Sequence, residues 1–150
     1  MNKLIFSFAA LAAVLFTGCV TLPNEKTEIC DVNKEEVYTV SFSRENDLSF
    51  YILHVNLLEE VNPASLNGIK VLAENSTDNS VKIKAVMENE FSEIVAESVP
   101  VTIEAGKEET VVFNFYQLPE EDAETNVVSF YIEGKLNAGS ISLGNMEFIQ

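Results

Sequence analysis

The stretch VKIKAVME, residues 81–88, alternates with a period of two: Val81, Ile83, Ala85 and Met87 fall on one side, Lys82, Lys84 and Glu88 on the other. Successive strand side chains point to opposite faces, so the pattern describes a strand with one buried and one wet face. A helix would instead set Val81 beside Lys84, because residues three apart share a helical face. The run LSFYILHVNLL, residues 48–58, is apolar on both parities, as expected of a central strand in a packed sheet.

Strand signals continue in both directions. VYTVSFS, residues 37–43, puts Tyr38, Val40 and Phe42 on one face. A short strand over 69–74 and the one over 81–88 flank NSTDNS, the densest turn signal in the chain, and together they read as a hairpin. The β-branched run 94–104 is interrupted at Pro100, which has no donor for a ladder, so this strand is expected at an edge or broken there. Val111, Phe113 and Phe115 share a face over 110–117, and PEEDAETN, residues 119–126, is an acidic loop. Strands over 127–133 and 140–149 close the chain, with Gly144-Asn145 a candidate bulge. No period of 3.6 persists, although 59–68 and 91–98 each have room for one helical turn. About eight short strands spaced by turn residues predict an all-β fold, an antiparallel two-sheet β-sandwich over 36–150. Jelly-roll and immunoglobulin-like topologies both fit.

The N-terminus has another character. Lys3 precedes an unbroken apolar run over 4–16, and Thr17-Gly18 leads into Cys19. A membrane-spanning helix needs roughly 20 apolar residues, and this run has about 13. It therefore reads as a secretory signal helix ending in a cleavage site. The string LFTGC resembles the lipobox of bacterial lipoproteins, with Phe16 where those signals carry a smaller aliphatic residue. The resemblance implies a signal peptide over 1–18, cleavage between Gly18 and Cys19, and acylation of Cys19. Two or more acyl chains give stable anchoring where one is marginal. It also implies a cell-envelope location, in the outer membrane where the host has one, because Val20 and not an aspartate follows the cysteine. Residues 19–35 then form the lipidated cysteine and a flexible tether. An acylated Cys19 leaves Cys30 without a partner in the chain.

The formal charge is −15, and loss of the signal removes Lys3 but no acid, giving −16. Nucleic-acid binding rests on Lys and Arg neutralising phosphates, so nucleic acid is excluded as a partner. Attachment to anionic lipid must come from the acyl chains, since no basic patch is available. A second resemblance covers VSFYIEGKLNAGSISLGNMEFI, residues 128–149, and NDLSFYILHV, residues 46–55. These are similar to strands of galactose-binding-like jelly-roll modules. That likeness implies a carbohydrate-binding module.

Catalytic constellations are scarce. His54 is the single histidine, no G-x-S-x-G elbow occurs, and zinc would have only His54 and Cys30 as His/Cys ligands. The paired glutamates are adjacent in sequence, which on a strand points them to opposite faces. A non-enzymatic role follows, with no cofactor. The densest oxygen cluster, Glu120, Glu121 and Asp122, is the one candidate for a structural calcium ion. For ligand binding the candidates are Tyr51, Tyr116 and Tyr131, each beside an in-facing residue and so expected together on an outer sheet face. The expected role is engagement of an envelope protein or a saccharide.

Overall fold

The computed structural model describes residues 29–32, 37–116 and 124–150. The expected signal, Cys19, most of the expected tether, and Glu120, Glu121 and Asp122 lie outside the described residues. The described residues form ten strands: β1 (Ile29–Val32), β2 (Val37–Phe42), β3 (Leu48–Val61), β4 (Gly68–Asn75), β5 (Val81–Glu88), β6 (Ile94–Glu97), β7 (Val101–Ile103), β8 (Lys107–Asn114), β9 (Thr125–Leu136) and β10 (Gly139–Ile149). A 3₁₀ turn, Pro63–Ser65, fills the gap between β3 and β4.

The strands form a two-sheet sandwich. The larger sheet runs β1-β3-β9-β5-β6, with β7 also on β5, and the smaller runs β2-β10-β4-β8. Pairing is antiparallel throughout except for β1, which lies parallel to β3 with Cys30 opposite Val55. Residues 29–32, inside the stretch expected as tether, thus form an edge strand. Four residues are too few for a period to register in sequence.

If β6 and β7 are taken as one strand broken around Pro100, the chain after β1 crosses repeatedly between sheets. Apart from β5 with β6 and β7, no two consecutive strands are neighbours. The orders 2-10-4-8 and 3-9-5-6 are those of two interlocked Greek keys, a jelly roll, and they set the immunoglobulin-like alternative aside.

The same order corrects the expected hairpin around NSTDNS, because β4 and β5 belong to different sheets. Asn75 explains the arch. Its Nδ2 donates to the carbonyls of Asn79 (2.9 Å) and Ile103 (3.0 Å). Its Oδ1 accepts from Thr77 N (3.0 Å) and Thr77 Oγ1 (2.7 Å). Both donors and both acceptor sites of this buried amide are used, and the bond to Ile103 on β7 ties the connection to the other sheet, which a hairpin loop closed on itself would not do.

Between the sheets lie Tyr38, Val40, Leu53, Val55, Ile69 and Val71 with Ile83, Phe113, Phe130, Ile132, Ile141 and Leu143, all 2 % exposed or less. Phe113 and Phe130 meet edge-on across the layer at 5.7 Å. Each such ring contributes about 1.5–3 kcal/mol by leaving water. Pro100 falls between β6 and β7, as its missing donor requires. The expected bulge is present: β10 shifts register between Gly144 and Glu147, and Asn145 has φ +50°.

Candidate functional site

Register places four rows of side chains on the outer face of the larger sheet. Phe50 stands opposite Glu133 and Lys82; Ile52 opposite Tyr131 and Lys84; His54 opposite Ser129 and Val86; Asn56 opposite Val127 and Glu88. Parity enforces this arrangement, because Leu53, Val55, Phe130, Ile132, Ile83 and Ala85 take the opposite parity and are buried between the sheets.

Two polar chains cross the face. Glu97, on β6, accepts from Lys84 Nζ at 2.8 Å through Oε2 and from the Tyr116 hydroxyl through Oε1. The hydrogen bonds from Lys84 and then Tyr116 hold the Glu97 carboxyl below the usual carboxylate range, against the opposing effect of burial. The Tyr116 hydroxyl is pushed up by donating to Glu97. Lys84 Nζ also lies 5.3 Å from the Tyr131 ring centroid, a cation–π contact. In the second chain the Tyr131 hydroxyl donates to Glu88 Oε1 at 3.3 Å, and Glu88 Oε2 lies 3.8 Å from His54 Nδ1. Burial, and next the Glu88 charge, raise the Tyr131 hydroxyl above its ordinary range. His54 Nδ1 is 2.5 Å from Ser129 Oγ.

Serine, histidine and glutamate therefore meet, but not as a nucleophilic triad. A triad needs the serine on one ring nitrogen and the carboxylate on the other. Here both approach Nδ1, and Ser129 is fully buried. The grouping locks side chains in place, and an incoming carbonyl has no access to the hydroxyl.

The three candidate tyrosines do not share one face. Tyr51 has the parity of Leu53 and Val55, so it packs against the core and meets Phe42 edge-on at 6.0 Å. That corrects the expectation of a three-tyrosine platform. Tyr131 is on the outer face, and Tyr116, 57 % exposed just beyond β8, is tied to the same face through Glu97. Sequence reasoning missed Phe50, which is 43 % exposed with its ring 5.8 Å from that of Tyr131. Its signal was an aromatic on the parity of His54 and Asn56 and not on that of Leu53 and Val55.

Away from this face, a concavity of about 270 Å³ opens near the end of β3 and the start of β9, lined by Glu60, Asn89, Glu90, Phe91, Glu124 and Asn126 among others. Asn89 Oδ1 accepts from the backbone of Phe91 (3.0 Å) and Glu93 (2.9 Å), fixing the loop that presents Phe91. Among the described residues no group of three or more His, Cys, Asp or Glu side chains is arranged to hold a metal ion.

No protein-family model matches the sequence, and no curated protein matches it. Solved structures show distant likeness. The pre-peptidase C-terminal domain of a collagenase from Bacillus anthracis is 12% identical with a TM-score of 0.46, covering 83% of this chain and 99% of that one. A family 11 carbohydrate-binding module of the cellulosomal cellulase Lic26A-Cel5E from Clostridium thermocellum is 12% identical with a TM-score of 0.44, covering 79% and 84%. A chain of the T13 IBDV viral particle is also 12% identical, at 0.40, covering 79% and 32%.

Proposed function

We propose that this protein is a lipid-anchored binding module of the cell envelope that takes up a saccharide on the outer face of its larger sheet. The observation that carries the reading is the pairing on one face of apolar ring surface, Phe50 and Tyr131, with polar side chains already fixed by one another. Pyranose rings present apolar C–H faces and a rim of hydroxyls, so they need both kinds of surface. Preorganised partners reduce the entropy lost on binding. The anchor follows from the lipobox-like LFTGC and holds the face near the envelope surface.

Glycan-array binding by the full chain in detergent micelles tests the reading. Saturable binding to immobilised saccharides, weakened about tenfold or more by Phe50→Ala, is the expected result. Binding to envelope proteins through the same face, with no saccharide retained, would replace the saccharide with a protein ligand.

A further inference from the structure

Resting on the saccharide reading, we infer that Lys82 and Glu133 are the specificity-determining residues of the site, together holding two adjacent hydroxyls of a sugar unit stacked on Phe50. Register sets the three side chains in one row across the outer face. Phe50 on β3 stands opposite Glu133 on β9, and Glu133 stands opposite Lys82 on β5. With neighbouring strands about 4.8 Å apart, the row is about 10 Å across. All three residues are exposed.

Among the described residues neither Lys82 nor Glu133 makes an ion pair or a side-chain hydrogen bond. That sets them apart from the other charges on the face. Lys84 and Glu97 are joined at 2.8 Å, and Glu88 lies between the Tyr131 hydroxyl and His54. The face is also less open beyond Tyr131. Ser129 and Val86 in the next row are fully buried although their parity points them outward, and Glu88 is 8 % exposed. The Tyr131 hydroxyl reaches past that row to Glu88. The Phe50 end is therefore where ring surface and uncommitted polar groups lie side by side.

The two charges suit hydroxyls in particular. A carboxylate only accepts hydrogen bonds and an ammonium only donates them, whereas a hydroxyl does both. Side by side, Glu133 and Lys82 offer the two halves of what a pair of adjacent hydroxyls needs. Hydrogen bonds to charged groups are also about twice as strong as those between neutral ones. A single ligand charge fares less well, because it gains from one side chain and loses to the other. Contact between the two side chains in the absence of ligand would cost little to open, since exposed ion pairs contribute little. The stacking ring beside them is held in turn, 5.8 Å from Tyr131, whose hydroxyl is tied to Glu88 and whose ring meets Lys84.

The experiment is titration calorimetry of the full chain in detergent micelles with β-glucan and mannan oligosaccharides and, separately, with oligogalacturonates. The variants are Lys82→Met and Glu133→Met, which keep an extended side chain and remove its hydrogen-bonding group, with Phe50→Ala and Glu108→Met beside them. Glu108 is exposed on β8, in the other sheet. The expected result is glucan or mannan binding weakened about fivefold or more in each of Lys82→Met and Glu133→Met and unchanged in Glu108→Met. Binding lost in Phe50→Ala but unmoved by Lys82→Met and Glu133→Met, or moved equally by Glu108→Met, overturns the role of the pair and keeps the face as a saccharide site. Binding of oligogalacturonate alone, lost in Lys82→Met and retained in Glu133→Met, assigns a ligand charge to Lys82 and likewise overturns the shared hydroxyls. No binding by any of these sugars, or binding indifferent to Phe50→Ala, overturns the saccharide reading and the inference with it.

Discussion

Glu97 illustrates how single side chains tie this fold together. It lies on the short strand β6 and takes hydrogen bonds from Lys84 on β5 and from Tyr116 beyond β8. Because folding favours its charged form, Glu97 adds stability above its unfolded value near 4.5 and loses that contribution as the pH falls through its lower folded value. Urea unfolding of Glu97→Gln should therefore show a loss of about 0.5–1 kcal/mol at neutral pH, the range of partly exposed ion pairs. The gap to the unmodified chain should narrow toward about pH 3. A gap that persists undiminished in acid contradicts the assignment. The tyrosines give an independent check. Tyr116 and Tyr131 both ionise above 10.0, the first because it donates to Glu97 and the second because it is buried beside Glu88. Ultraviolet titration of Glu97→Gln should return one phenol toward the ordinary value.

At the scale of elements, the turns carry the topology. The arch at 75–80 is fixed by the saturated amide of Asn75, and β10 begins beside it. Gly139 has φ +85°, and a Cβ there would lie 2.4 Å from the Ser76 carbonyl oxygen. Gly139→Ala should cost about 1–3 kcal/mol, seen as a lower melting temperature, since both backbone conformation and space exclude a side chain. Asn75→Ala should cost a similar amount, about 1–3 kcal/mol, by leaving buried carbonyls unpaired. These elements also mark where the sequence was legible. The alternation in 81–88, the break at Pro100 and the bulge at Gly144-Asn145 are local signals, and each reads directly. Sheet membership is not local. NSTDNS has hairpin composition, and only the tertiary partner Ile103 distinguishes an arch from a hairpin. Tyr51 failed for a related reason: β3 is apolar on both parities, so its sequence does not say which side faces the other sheet. Phe50 was overlooked through the same ambiguity.

For the whole molecule, charge and the proposed anchor bear on the working geometry. A chain with net charge −15 is repelled by anionic headgroups, so the proposed acyl chains on Cys19 must supply the attachment. Cys19→Ser should abolish fatty-acid labelling and release the protein from membranes; continued tight attachment would remove the anchor from the account. The jelly roll then presents two unlike outer faces. The smaller sheet shows Val37 and Val112 beside the Lys70–Glu147 ion pair. The larger carries the aromatic and hydrogen-bonded rows. Ligand is proposed to meet the larger sheet. A methyl and aromatic NMR titration of the full chain in detergent micelles with β-glucan and mannan oligosaccharides tests this most directly. Shifts are expected at Ile52, Phe50, His54 and Tyr131, with the Val37 and Val112 signals unmoved. Shifts confined to Val37 and Val112, or no shifts at all, would rule out the larger sheet as the ligand face.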